Sequence, residues 1–330
     1  MDNERLIENL DQAVDLLLAN RDVAAASQDA EVAQLLHIAA ELRNLPRAAF
    51  KAQLKDELEK IPGVSSASEV SKPMSNSTQR VFRTVTPYVA VKNVYEVIDF
   101  VKTVFDAKGT IYGTGSQGGI HSEFKIGDAV LMLGGGDAFR GEEMRGAFHI
   151  YVEDVDEIYR RAVAAGATSL HEPMDQEYGE RSAAFADPGG NQWYPATASG
   201  DSYIAEGAQS LMPYLHPKGA AKQIEFLEQA FGAQEQFRHA SPEGIIYHAK
   251  VQLGSSIIEM GEPHDQWQPV PSMFMLYVED VDAMYARAIA VEGATSLSAP
   301  SDQAYGDRVG SIKDPFQNIW YIASHLSQLG

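Results

Sequence analysis

Apolar residues in the first part of the chain follow the spacing of an α-helix. Leu6, Leu10 and Val14 lie four positions apart, which places them on one helix face. Residues 63–80 are rich in serine and show no such spacing, which is typical of a linker. The pattern predicts an all-helical domain over residues 1–62 and a linker over residues 63–80.

Further along the chain, short strand-like and helix-like patterns alternate, and similar sequence stretches occur twice. The stretch "YVEDVDEIYRRAVAAGATSL" from Tyr151 returns as "YVEDVDAMYARAIAVEGATSL" from Tyr277. The stretch "YGERSAAFADPGGNQWY" from Tyr178 returns as "YGDRVGSIKDPFQNIWY" from Tyr305, an offset of 305 − 178 = 127 positions. Repetition on this scale indicates two copies of one folding unit.

Each copy reads strand, helix and three strands, and then the same order again. We therefore predict a first module over residues 81–197, a linker over 198–209 and a second module over 210–330, each made of two βαβββ units. Trp193 and Trp320 come just before the last residue of the repeated motif. We expect both to pack under the helices, because the tyrosines that follow them take the opposite face of the strand.

Composition narrows the partners that the surface favours. The 330 residues carry a formal net charge of −20, which repels nucleic acid and anionic membranes. There is no cysteine, so disulfides and thiolate metal sites are excluded. The first residues lack the basic and apolar segments of a secretory signal, and no apolar run approaches the ~20 residues of a membrane span. We expect a cytoplasmic protein.

The repeated motifs "YVEDVD", "GATSL" and the "YG-R…DP…N-WY" stretch resemble the vicinal oxygen chelate superfamily, which has the glyoxalase/bleomycin-resistance fold. The PhnB-like branch is the most similar, and the resemblance covers Val81 to His325. It implies an α+β fold in which four βαβββ units form mixed sheets that curl into cups, with helices outside.

Metal-dependent members of that superfamily hold their ion with His, Gln or Glu at four strand positions. The resemblance implies that these positions are Thr86, Met132, Ala147 and Tyr194 in one copy and Met212, Glu259, Met273 and Tyr321 in the other. Only Glu259 is a good ligand, whereas a catalytic ion needs about three. We expect no metal or other cofactor, and metal-dependent glyoxalase or dioxygenase chemistry is not favoured. Whether the protein is an enzyme stays open.

Strand alternation then predicts which side chains replace the metal site. Aromatic residues should point into each cup, and we expect each module to form its own cup: Tyr88, Tyr151, Tyr194 and His149 with His121 in the first, and Tyr214, Tyr277 and Tyr321 with His248 in the second. Tyr and His combine an apolar ring with a polar tip, which suits an aromatic or drug-like ligand. Alternatively, these residues only cover half-buried faces of the sheets and bind no ligand.

Arg181 and Arg308 follow the repeated Tyr-Gly-acid sequence at the start of a strand. Each could grip an anionic group of a ligand. Alternatively, each arginine pairs with a local acid such as Glu180 or Asp307.

Three functions remain open from the sequence. The protein could bind an aromatic or drug-like small molecule in a cup without a metal. It could be a metal-independent lyase or isomerase that uses His121 or His248 as general base, with Glu123 as partner of His121. It could also bind a protein partner, or self-associate, through the N-terminal helices.

Overall fold

The computed structural model describes residues 82–115, 117–264 and 267–326. The predicted N-terminal helical domain and the linker that follows it lie outside the described residues.

One order of elements, strand, helix and three strands, recurs four times along the described residues. The first two units comprise β1 (Val85–Val91), α1 (Val94–Phe105), β2 (Lys108–Thr114), β3 (Ile120–Ile126), β4 (Ala129–Gly135), β5 (Ala147–Tyr151), α2 (Val155–Ala164), β6 (Thr168–Asp175), β7 (Glu180–Ala186) and β8 (Gln192–Ala198). The last two comprise β9 (Leu211–Leu215), α3 (Ala220–Phe231), β10 (Gln234–Ala240), β11 (Ile246–Leu253), β12 (Ser256–Met260), β13 (Met273–Tyr277), α4 (Val281–Ile289), β14 (Thr295–Asp302), β15 (Asp307–Lys313) and β16 (Ile319–His325).

The strands form two mixed sheets of eight strands each. Their orders are β14-β15-β16-β13-β1-β4-β3-β2 and β10-β11-β12-β9-β5-β8-β7-β6. The first unit therefore pairs with the fourth through antiparallel β1 and β13, and the second pairs with the third through β5 and β9. The prediction that each module forms its own cup is wrong, because each sheet takes one unit from each predicted module.

Helices join the two sheets. One buried cluster includes residues of α1 and α2 together with Trp193, and the other includes residues of α3 and α4 together with Trp320. Both tryptophans are 0% exposed, which confirms the prediction that they pack under the helices.

The repeated Asp-Pro…Asn-x-Trp motif is explained by one buried carboxylate. Asp187 accepts hydrogen bonds from the Asn191 backbone N–H at 2.9 Å, from the Asn191 amide and from Trp193 Nε1 at 3.0 Å. Asp314 accepts the equivalent bonds from Asn318 and Trp320. Burial raises the pKa of both carboxyl groups. The motif thus fixes the turn before the last strand of a unit and has a structural role.

The second helix of each predicted module begins at an aspartate. The side chain of Asp154 accepts a hydrogen bond from the Glu157 backbone N–H, and that of Asp280 accepts one from Ala283. These contacts satisfy a backbone donor that the first turn leaves unpaired. None of the helices among the described residues is long and apolar enough to cross a membrane.

Candidate functional site

Each sheet has one face packed on the helices and one face turned away from them. Phe124 and Ile126 of β3 enter the helical core, so by strand alternation His121 and Glu123 take the other side. In the sheet that contains β1 and β13, we call the face away from the helices the methionine face. In the sheet that contains β5 and β9, we call the corresponding face the glutamate face.

Apolar and aromatic residues cover the methionine face. Its buried members are Met132, Met275, Val309 and Ala323, and the partly buried rings Phe82, Tyr88, Tyr277 and Tyr321 pack on them. At one side, the Tyr88 hydroxyl lies 3.0 Å from His121 Nδ1, and His121 Nε2 lies 3.4 Å from Glu123 Oε1. Burial raises the pKa of Tyr88, so its hydroxyl stays protonated.

A buried carboxylate lies at the centre of the glutamate face. The side chain of Glu259 is 0% exposed, and its Oε2 lies 2.6 Å from His149 Nδ1. The other oxygen, Oε1, lies 3.2 Å from Lys250 Nζ and 3.9 Å from His248 Nε2. Oε1 is thus ion-paired, although no donor completes a hydrogen bond to it.

The charged groups of this cluster shift one another's pKa. Burial alone would raise the pKa of Glu259, but the charge and hydrogen bond of His149, with smaller effects of His248 and Lys250, lower it to about 2. Burial likewise opposes the protonated form of His149, but Glu259 raises its pKa. For His248, burial outweighs Glu259 and lowers the pKa. Near pH 6.5 the face therefore combines the Glu259 carboxylate, the Lys250 ammonium, a protonated His149 and a neutral His248.

Aromatic rings form a continuous series beside this cluster. Phe237 lies 5.9 Å from His248 between ring centroids, and His248 lies 5.9 Å from Tyr214. Tyr214 and Tyr194 meet edge-on at 5.3 Å, and Tyr194 meets Trp267 at 5.2 Å. Such spacings are typical of interacting aromatic pairs. We call these five residues the ring series.

Strand alternation does not predict that Phe237 and Trp267 belong to the site. Phe237 lies next to a register shift in the pairing of β10 with β11, which alternation cannot place. Trp267 lies between β12 and β13, outside any strand. His216, next to β9, also joins the series, since its Nε2 lies 3.0 Å from the Tyr194 hydroxyl.

The predicted ligand-binding residues divide between the two faces. Tyr88, Tyr277, Tyr321 and His121 lie on the methionine face, whereas Tyr194, Tyr214, His149 and His248 lie on the glutamate face. The predicted grouping of Tyr88 with Tyr194 is therefore wrong, because β1 pairs with β13 and β5 pairs with β9.

Tyr151 is enclosed. It is 3% exposed and packs against Ile204, Ala205 and Ala208, and its hydroxyl donates to Glu180 Oε1 at 2.5 Å. A ligand on the glutamate face would not reach its ring.

The two predicted anion-gripping arginines are paired with carboxylates. Arg181 donates a hydrogen bond from Nε to Asp156 at 2.6 Å and another from Nη1 to Asp175 at 3.0 Å. Arg308 bonds Asp282 and Asp302 in the same way. The alternative in which each arginine pairs with an acid is favoured, but the acids are different ones.

The predicted acids point elsewhere. Glu180 accepts from Tyr151 and Asp307 contacts His325, because adjacent strand residues point to opposite faces. Neither acid is therefore the partner of the arginine that follows it.

The two faces present different donors to a divalent transition metal. The methionine face presents mainly thioethers and phenols, which suit such ions poorly, with His121 and Glu123 at one side. On the glutamate face, a metal ion at Glu259 would have to displace the Lys250 ammonium from Oε1. Within the described ranges, no group of three or more His, Asp or Glu residues is arranged to hold a metal ion.

Four βαβββ units paired into two sheets, each with one face away from the helices, define a class of fold that comparisons with known proteins identify. Residues 82–194 match the model of the Glyoxalase/Bleomycin resistance protein/Dioxygenase superfamily. An uncharacterized protein of Mycobacterium tuberculosis is 30% identical over 141 residues, which are 39% of this chain and 82% of that protein. An uncharacterized protein of Mycobacterium bovis is 31% identical over 131 residues, 36% of this chain and 86% of that protein.

Among solved structures, glyoxalase I from Zea mays has a similar fold. The TM-score is 0.58 at 14% sequence identity, over 75% of this chain and 94% of the maize protein. The chain belongs to the glyoxalase/bleomycin resistance protein/dioxygenase superfamily.

Proposed function

We propose that the protein binds a planar aromatic small molecule on the glutamate face, without a transition metal. The observation that carries this proposal is the ring series from Phe237 to Trp267, which runs beside the charged cluster at Glu259. The Phe237 side is open to solvent, since this residue is 49% exposed. Rings at such spacings offer faces and edges on which a planar ligand stacks.

The charged cluster supports a ligand that carries polar groups at one edge. The Lys250 ammonium and the His248 imidazole, which are 29% and 30% exposed, supply a donor and an acceptor beside the rings, whereas Glu259 is enclosed. Because Glu259 is neutralised by His149 and Lys250, the face carries no large net charge that would select strongly for an ion. We infer that the ligand is uncharged or zwitterionic near this cluster.

Trp267 provides a direct test. The chain has three tryptophans, and Trp193 and Trp320 are buried in the helical cores. Aromatic metabolites and antibiotics that raise the melting temperature should therefore quench the fluorescence of Trp267, and Trp267→Phe should abolish the change.

Matched variants on the two faces locate the site. Tyr214→Ala should weaken binding about fivefold, because one aromatic contact contributes on the order of 1 kcal/mol. Tyr321→Ala, on the methionine face, should leave this affinity unchanged. Equal loss in both variants, or quenching that persists in Trp267→Phe, would contradict the proposed site.

A second candidate function is general-base catalysis by His248. Its lowered pKa keeps the imidazole neutral, and its Nδ1 lies 3.4 Å from the Tyr214 hydroxyl. Lys250 would stabilise negative charge that develops on a substrate oxygen. A bound ligand should then exchange an acidic C–H in deuterated water, and His248→Gln should stop the exchange without loss of binding.

We further propose, from the sequence motifs and the composition alone, that the protein belongs to the PhnB-like branch and is cytoplasmic. A role of the N-terminal helices in binding a protein partner, or in self-association, concerns residues outside the described ranges.

A further inference from the structure

We infer that Phe82 occupies a seat for an aromatic ring on the methionine face, and that a free, uncharged aromatic ring competes with it there. This inference extends the proposed function to the second face. It makes Phe82 a tethered occupant that restricts entry of ligands to that face.

The contacts of Phe82 are those expected of a bound aromatic ligand. Its ring stacks on Tyr277 with centroids 4.9 Å apart and planes inclined by 12°. It lies 6.4 Å from the His325 ring and packs on the cluster that contains Met132 and Met275. Thioether and aromatic surfaces are favourable neighbours for an uncharged ring.

Comparison of the two sheets indicates that the fold does not require this ring. The Thr84 carbonyl accepts a hydrogen bond from the Tyr277 backbone N–H at 2.8 Å, and the Ser210 carbonyl accepts one from Tyr151 at 2.8 Å. The same backbone contact thus anchors the entry to each sheet. Two residues earlier the chain has Phe82 in one case and Ala208 in the other.

The surroundings of the seat select against charge. The buried side chains that Phe82 contacts are apolar, and His325 is held by Asp307, with 2.6 Å between Nδ1 and Oδ1. A charged group placed against this cluster would lose its hydration without a free partner to replace it. The ligand class is therefore a neutral, planar, apolar ring.

Tethering sets the strength of the competition. A group attached by a short segment acts at an effective concentration of about millimolar. Weak ligands are then excluded from the seat, and a ligand that enters must displace Phe82 from Tyr277. Removing the Phe82 ring should raise the affinity for a free ring about tenfold or more.

The test uses the full chain labelled with 13C at its methionine methyl groups, and toluene as the probe. In Phe82→Ala, the methyl signals of Met132 and Met275 should shift at toluene concentrations at least about tenfold lower than in the unchanged protein. Met275→Leu in the Phe82→Ala background assigns one of these signals. Met212 of β9, which lies in the buried cluster of Tyr151 in the other sheet, should not respond.

A second variant covers the case in which Phe82→Ala does not fold. Phe82→Leu keeps an apolar side chain but cannot stack, so toluene should bind with intermediate affinity. Equal binding by the unchanged protein and both variants would overturn the inference, as would no shift of Met132 and Met275 in any of them. These signals are independent of Trp267 quenching, so failure here is distinguishable from failure of the glutamate-face proposal.

Discussion

At the scale of single residues, the properties of the glutamate face depend on Glu259 and His149. A fully buried carboxylate is destabilising unless it is paired, and His149 and Lys250 provide that pairing. The cluster therefore stabilises the folded protein only where Glu259 is ionised and His149 is protonated.

The pH range of this stabilisation follows from the direction of the two pKa shifts. The pKa of Glu259 is lowered from 4.5 to about 2, so its contribution is present above pH 4.5 and is lost as the pH falls toward 2. The pKa of His149 is raised from 6.5, so its contribution is present below pH 6.5 and is lost as the pH rises through the raised value. Together they stabilise the protein most between pH 4.5 and 6.5.

A double-mutant cycle with Glu259→Gln and His149→Gln measures the pairing. At about pH 5.5, Glu259→Gln alone should lower the free energy of unfolding by about 3 kcal/mol, as expected when one partner of a buried pair is removed. The coupling energy between the two positions, from urea unfolding, should fall as the pH is raised from about 5.5 through the pKa of His149. A coupling energy that stays constant with pH would contradict an ionic pair.

At the scale of elements, strand alternation and turn chemistry explain most of what the sequence could predict. Alternation along β3 is enough to place Phe124 and Ile126 in the core, and an aspartate is a common N-cap, as Asp154 and Asp280 are here. Side chains placed by loops or register shifts could not be predicted in this way. Trp267 is the clearest example, since it lies outside any strand.

The Asp187 turn gives a testable consequence at this scale. Asp187→Ala leaves the buried Trp193 Nε1 and the Asn191 amide without their acceptor, which should cost about 3 kcal/mol of unfolding free energy. Asp314→Ala should cost a similar amount. Asp201→Ala, on an exposed loop, should change the value by no more than about 0.5 kcal/mol. Urea unfolding of the three variants checks this, and a loss below about 1 kcal/mol at both turns would show that the motif is not structural.

At the scale of the whole molecule, the pairing of units is the feature that the sequence could not supply. The repeat shows that there are similar units, but nothing in it says whether the edge of β1 meets β5 or β13. Both strands follow the same alternation, so local pattern is equally satisfied by either pairing. The observed choice of β13 is what brings Tyr277 and Tyr321 next to Tyr88.

An engineered disulfide tests how the two predicted modules meet. Thr84 Oγ1 lies 3.2 Å from Ser255 Oγ, although the residues are 171 positions apart, so the start of β1 lies beside the turn between β11 and β12. The chain has no cysteine, so Thr84→Cys with Ser255→Cys should form one intramolecular disulfide on mild oxidation. It should raise the melting temperature, because it closes a long loop. Disulfide-linked dimers alone, or a lower melting temperature, would contradict this arrangement.

Isothermal titration calorimetry of the chelator-treated protein tests the central claim most directly. A ligand that quenches the fluorescence of Trp267 should bind with a stoichiometry of one. Adding zinc, nickel or manganese should change its dissociation constant by less than about twofold, because Glu259 already has His149 and Lys250 as partners. Binding that appears only after a metal is added would contradict the account.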